Sequence, residues 1–373
     1  MKINRLAFLF LILLDGCVDR FDIPITAALE RLVVDGLITD QPGPYTVKLY
    51  NSIPLQDQLE KINWVTGASV TLFDNEGNTE WMTETSPGNY QTTAGGMQGV
   101  IGKSYYIRIV LRDDTIYESE PELLQAPGEI TSLYYEFHQN ENPYLSDKVT
   151  STNGFQVFLD AKVDPSQPYI RWRWTGTFSI RAYPEFQVKY VPIRTPVPDP
   201  PPCSGYIAPR GRLENVGPCT CCTCWFSDHS VTPLLSDKKF IGDGTLTRIP
   251  LAFVEASRRT MHEKYFLAVE QMSVSEVAYD FWTKVKKQQA IGSDLFQTPP
   301  AATLGNITRV SDSGIPVIGL FGASAIRTEF LTLDKTDLPY PLGEMDSVRM
   351  SCTRAYRVSV AGRQVTTEKP PFW

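Results

Sequence analysis

The sequence predicts a mainly β protein: an N-terminal immunoglobulin- or transthyretin-like sandwich, then a larger antiparallel β domain with one helix. Three observations lead there. Short segments of apolar/polar alternation recur at roughly ten-residue intervals with turn residues between them. Pro at 28 and Gly at 25 punctuate the chain and leave little room for long helices. Only one stretch carries a clear helical period. With 42% apolar and 21% charged residues over 373 positions, the chain can build substantial cores, and its length fits about two domains.

The first segment reads as an address. Lys2 and Arg5 precede Leu6–Leu14, an unbroken apolar run. A bilayer span needs roughly 17–25 residues, so this run has the length of a signal h-region and not of a membrane helix. It ends in Leu14-Asp15-Gly16-Cys17, which has the shape of a bacterial lipobox: aliphatic, then small, then the cysteine that is lipidated. Asp15 departs from the usual small or aliphatic residue, and an ordinary secretory signal with a chance cysteine is the alternative. Residues 1–16 are read as the signal peptide, Cys17 as the lipidated residue (a diacylglyceryl thioether, with acyl chains such as palmitate) and new N-terminus, and 17–30 as a tether. Several acyl chains anchor firmly where one binds only marginally. Val18, not Asp, follows Cys17, which favours the outer membrane, on its periplasmic or cell-surface face.

Residues 31–125 hold the first sandwich. Arg31–Ile38, Tyr45–Tyr50, Ala68–Phe73, Gly88–Gln91, Ser104–Leu111 and Thr115–Ser119 are the expected strands. Asp74-Asn-Glu-Gly77 is a hairpin turn; position twelve of a calcium loop starting at Asp74 is Thr85, which lacks the required carboxylate. Leu123–Gly128 is the junction. Residues 126–368 form the second domain, with strands expected over 130–137, 154–159, 169–180, 246–254, 263–272, 304–310, 317–323, 328–333 and 348–360. Ser273–Gln289 is the helix, capped by Ser273 or Ser275, with an apolar stripe at Val277, Phe281 and Val285 and lysines at its C-terminal end.

Two features of the second domain invite functional readings. Trp172 and Trp174 lie two apart on a strand and share a face. They are either core residues or an aromatic ligand platform. Residues 183–224 break the β pattern with dense prolines and then Cys219-Thr-Cys221-Cys222-Thr-Cys224, a Pro/Cys-rich excursion. Without Cys17 the chain has six cysteines: Cys203, Cys219, Cys221, Cys222, Cys224 and Cys352. An even number in an exported protein predicts disulfides, and six allow 15 pairings. A thiolate metal site is the competing reading, because C-x2-C spacing occurs twice in the cluster. The overlap of those two pairs argues against one tetrahedral ion, and no metal or cofactor is assigned.

Enzyme signatures are missing from the sequence. There is no nucleophile elbow, zinc helix, P-loop or dinucleotide fingerprint, and only three histidines. A formal net charge of −7 disfavours nucleic-acid binding. Asn306-Ile-Thr308 is a formal glycosylation sequon, and Asp114-Thr-Ile and Asp346-Ser-Val match a short O-glycosylation pattern.

The landmarks together carry a resemblance. Cys17, Leu32–Thr39, Gly67–Thr71 before Asp74–Gly77, Gly88-Asn-Tyr90, Cys224-Trp225, Ala278–Trp282, Gly305-Asn-Ile307 and Gly319–Ser324 follow one another as in the DUF4249 family of Bacteroidetes outer-membrane lipoproteins, which the chain resembles over nearly its whole mature length. The resemblance implies an outer-membrane lipoprotein often encoded beside a TonB-dependent receptor, with no known enzymatic activity and no catalytic residues to carry over. The expected function is that of a binding or accessory subunit of a TonB-dependent nutrient transporter, with an unidentified nutrient as ligand. An envelope-structure or assembly protein without a small ligand is the alternative, and a carboxylate-dependent hydrolase a third.

Overall fold

Alternation in residues 31–125 translates into one long, bent sheet. The computed structural model describes residues 30–52, 62–141, 152–192, 195–237, 242–291, 303–312, 317–356 and 364–373. The protein is mainly β, as the turn-rich sequence predicts. The first sheet has eleven strands. One flank holds Leu32–Thr39, Thr46–Asn51 and Asn89–Gln91; the other holds Ser69–Asp74, Ser104–Val110 and Ile116–Ser119. Thr79–Ser86 is the corner. Its first half pairs with Ser69–Asp74 and its second half with Asn89–Gln91. The inward positions of the two flanks share one core, with Val34, Val47 and Leu49 meeting Val70, Leu72, Ile107 and Ile109. Each such aliphatic side chain contributes about 1.5–3 kcal/mol on burial.

The Asp74–Gly77 hairpin behaves as a turn. Asp74 Oδ1 accepts from the N–H groups of Glu76 and Asn78, both at 2.9 Å, and Gly77 takes φ +89°. Burial pushes the Asp74 carboxyl up, but the hydrogen bonds from Asn78 and Glu76 together with Lys103 hold it below the ordinary aspartate range.

The first sheet is completed from far along the chain. Ile307–Arg309 pairs with Ile116–Ser119, and Ile318–Ser324 runs parallel to Leu32–Thr39, Val33 opposite Ile318 through Thr39 opposite Ser324. The 31–125 sandwich and the 126–368 domain read from the sequence are thus interleaved: two strands of the latter segment belong to the first sheet. Gly319 makes the parallel pairing close. It has φ +105°, and a Cβ there would lie 1.9 Å from the Val34 carbonyl oxygen.

The second unit packs a three-stranded sheet against a six-stranded one. The smaller sheet holds Glu129–Glu141, Thr152–Lys162 and Thr245–Glu255. The larger runs Ile326–Asp334, Lys264–Ser273, Ile170–Arg181, Thr223–His229 and Gln364–Thr366, with the short Leu234–Leu235 also paired to Ile170–Arg181. Phe155, Val157 and Leu159 of the smaller sheet share a core with Trp172, Phe178, Phe226 and Leu267 of the larger.

Two passages join the units. Ile318–Ser324 of the first sheet continues through Ala325 into Ile326–Asp334 of the second, and Asp40 accepts from the Ile326 N–H at 2.8 Å and the Arg327 guanidinium at 3.1 Å. The helix, Glu276–Ile291, lies beside the return strand. Ser275 caps it, accepting from the Ala278 N–H at 3.1 Å, while Ser273 ends the preceding strand. Ala278 and Phe281 pack with Leu320, and Trp282 and Val285 flank them. Val277, expected on the apolar stripe, is 41% exposed, so the buried face is rotated by one residue toward Ala278.

The expected strand over 348–360 is not present as one among the described residues. Val348 forms a single bridge with Ala182, and Cys352–Ala355 is a short helical turn tied to the larger sheet through Cys352. At the C-terminus Phe372 stacks on Phe266, which seats the 369–373 tail on the second unit.

Candidate functional site

The strand Ile170–Arg181 reads Ile-Arg-Trp-Arg-Trp, and its two faces do different work. The tryptophans point into the second unit. Trp172 is 1% exposed, with Nε1 donating to Gln271 Oε1 at 2.8 Å. Trp174 is half-buried against the same core, with Nε1 donating to the Leu251 carbonyl at 3.0 Å. They share a face, as the alternation predicts, but a ligand platform they are not: that face is the one between the sheets, and both indole N–H groups are committed.

The arginines emerge on the other face, toward the first unit, and there border a cavity of about 250 Å³. Its walls come from both units and the helix. The first unit supplies Asp35, Glu122 and Ser324; the second supplies Arg171, Arg173 and Met272; the helix and its cap supply Ser275, Ala278 and Trp282. Small-molecule sites favour such junctions between units.

Four ionisable groups set its electrostatics. Arg173 is ion-paired with Glu270, its directly opposed cross-strand neighbour. Arg171 has no such carboxylate partner among the ion pairs of the described residues, and its guanidinium lies 3.6 Å from the centre of the Trp282 ring. Burial, then the like charge of Arg173, lowers the Arg171 pKa to about 10, against the opposing pull of Asp35 and Glu270. Its Nε is enclosed and has no hydrogen-bond partner among the described residues.

Glu122 faces the same space from the first unit and is only 3% exposed. Oε1 accepts from Asn306 Nδ2 at 2.9 Å. The Ser275 hydroxyl is close enough to favour the ionised carboxylate but does not meet the geometry of a hydrogen bond, so Oε2 has no partner among the described residues. Burial, the dominant influence, pushes the Glu122 carboxyl above the ordinary range. Asn306 is itself fixed: it is 2% exposed and bonds both the N–H and the carbonyl of Phe321. The formal sequon at Asn306 is therefore an internal clasp, closed to glycosylation in the folded chain.

All six cysteines other than Cys17 are paired. Cys203 bonds Cys221, Cys219 bonds Cys222, and Cys224 bonds Cys352. Adjacent Cys221 and Cys222 thus reach different partners. The first two bridges pin the 183–224 excursion, whose pieces are the hairpin of Val188–Val191 with Thr195–Pro198 and the shorter pair Tyr206–Ile207 with Glu214–Asn215. The third fastens its exit strand to the chain 128 residues on. No cluster of three or more metal-ligating side chains occurs among the described residues.

Cys17, with the signal and tether, lies outside the described residues. Among those described, no helix is long and apolar enough to cross a membrane. Sequence reading missed Arg171, Glu122 and Trp282. The Arg-Trp-Arg-Trp alternation announced that arginines and tryptophans would part to opposite faces, yet nothing local revealed that the arginine face meets a second unit.

Fold and site define a two-unit, disulfide-pinned β protein with a charged cavity where the units meet. The family described as a domain of unknown function, DUF4249, matches residues 18–329, and the chain belongs to it. No curated protein matches the chain.

Proposed function

We propose that this protein is an exported lipoprotein, anchored through Cys17 in the outer membrane, that serves a TonB-dependent transporter as a binding and accessory subunit and performs no chemistry of its own. The lipobox and the signal before it supply the address. The observation that carries the binding reading is the inter-unit cavity, with an enclosed guanidinium nitrogen, Arg171 Nε, and an enclosed carboxyl whose hydrogen-bonding capacity is not fully used. Native interiors rarely leave such groups unpaired, so an unpaired pair at one cavity favours an occupant.

Deletion of the gene with nutrient-uptake profiling tests the reading. Loss of uptake of one nutrient class, restored by the wild-type gene and not by a Cys17→Ser form, is the expected result. Unchanged uptake across nutrients with an intact envelope contradicts it.

The envelope-structure reading draws on one feature. The excursion exposes Phe186, Tyr190, Ile207 and Val216 on a scaffold fixed by two disulfides, a form suited to gripping another protein. Such a grip serves a transporter complex equally well.

A further inference from the structure

We propose that the inter-unit cavity binds a free α-amino acid with a modest apolar side chain, Arg171 holding its carboxylate and Glu122 its ammonium. This rests on the reading of that cavity as a ligand site.

The two unpartnered atoms are of opposite kinds. Arg171 Nε is a cationic donor and Glu122 Oε2 is a carboxyl acceptor, both enclosed and both on residues lining the same space. An enclosed polar atom left unpaired is costly, and most costly when it belongs to an ionic group. A simple carboxylate satisfies Arg171 and meets Glu122 as a like charge. A simple amine does the reverse. A sugar hydroxyl can bond each, but brings no charge to either. A zwitterion answers both, and the charges are already sorted by wall: Asp35 and Glu122 on the first unit, Arg171 and Arg173 on the second.

Arg173 is engaged by Glu270, so Arg171 is the guanidinium left for a ligand. Its stack on Trp282 holds the planar group in place before anything binds, which reduces the entropy lost on binding. Asn306 does the same for Glu122. The lining also offers apolar side chains to a ligand's own apolar group, from Leu37, Met272, Val274 and Leu320. The cavity of about 250 Å³ lies just below the roughly 300–1,000 Å³ usual for ligand pockets, a scale that suits one small molecule and not an oligosaccharide.

Calorimetric titration of the full-length protein in detergent tests this, with L-leucine as the probe and two analogues that each lack one charge: 4-methylpentanoate, without the ammonium, and 3-methylbutylamine, without the carboxylate. L-leucine is expected to bind, and each analogue to bind at least about tenfold more weakly. Glu122→Gln should weaken L-leucine about tenfold while leaving 4-methylpentanoate no weaker; Arg171→Met should weaken both. Equal affinity for L-leucine and either analogue, equal affinity for glucose, or no binding by any standard amino acid overturns the assignment. The analogue series uses the unaltered protein, so the outcome stands even if a variant fails to fold. Amino acids that do not bind to a protein still co-purifying with a TonB-dependent receptor refute the ligand and not the accessory role. Amino-acid binding without a receptor supports the ligand and removes the role.

Discussion

The Arg171 guanidinium lies 3.6 Å from the centre of the Trp282 ring, and this stack ties the central strand of the second unit to the helix that leads back toward the first. It is the point where two β units, a helix and a cavity meet. Trp282→Ala removes the ring and leaves the guanidinium facing the cavity alone. A desolvated cation–π contact is worth about 2 kcal/mol, with lost packing in addition. Denaturant unfolding should show a stability loss of that order. Trp81→Ala, at a position 69% exposed, should change stability by no more than about 0.5 kcal/mol.

Glu122 gives a pH signature. Burial raises its folded-state pKa above the unfolded value near 4.3. The folded state therefore holds the proton more tightly, and the carboxyl costs nothing at a pH below both values. The cost appears as pH rises through the unfolded pKa and is complete above the raised folded one. Glu122→Gln, which retains the acceptor for Asn306, should be more stable than the native protein at pH 7 by about 1 kcal/mol and indistinguishable from it at about pH 3. Thermal melts across that range check the crossover.

The three disulfides should rank by the loop each closes. Cys224–Cys352 spans 128 residues, Cys203–Cys221 spans 18 and Cys219–Cys222 spans 3. Chain entropy puts their contributions at about 5, 3 and 2 kcal/mol. Paired Cys→Ala variants, compared by guanidinium unfolding, should follow that order. Peptide mapping without reductant should recover the three pairings directly.

The parallel seam of the first sheet depends on Gly319. Gly319→Ala places a methyl 1.9 Å from the Val34 carbonyl at φ +105°, a clash and a disfavoured backbone together. A loss of about 3 kcal/mol or more is expected. Gly322→Ala, three residues on in the same strand, meets Leu37 at an ordinary 3.4 Å and should be tolerated. Hydrogen exchange at residues 33–39 reads whether the return strand has come away.

What could be read from the sequence was local. Alternation located most of the expected strands to within a residue or two, because the period-2 pattern of a half-buried strand is written in neighbouring side chains, but it did not reveal Thr79–Ser86 or Thr223–His229. Ser275 and the run after it identified the helix, though Val277 misplaced its buried face, since a four-residue spacing is equally open to the adjacent stripe at Ala278, Phe281 and Val285. Partner choice is not local. Nothing in Leu32–Thr39 names Ile318–Ser324 as its parallel neighbour. The same limit hid the site. Trp172 and Trp174 are legible as aromatics of one strand face, whereas the face that lines the cavity carries Arg171 and Arg173, and the cavity also takes Glu122 and Trp282, each brought from a distant part of the chain.

Affinity purification of the tagged, full-length protein from detergent-solubilised native outer membranes, with the co-purifying proteins identified by mass spectrometry, decides whether it serves a transporter. A TonB-dependent receptor recovered in stoichiometric amount is the predicted result, and that receptor's substrate would then name the nutrient. Recovery of the protein alone, or with envelope-assembly machinery and no receptor, would contradict the account.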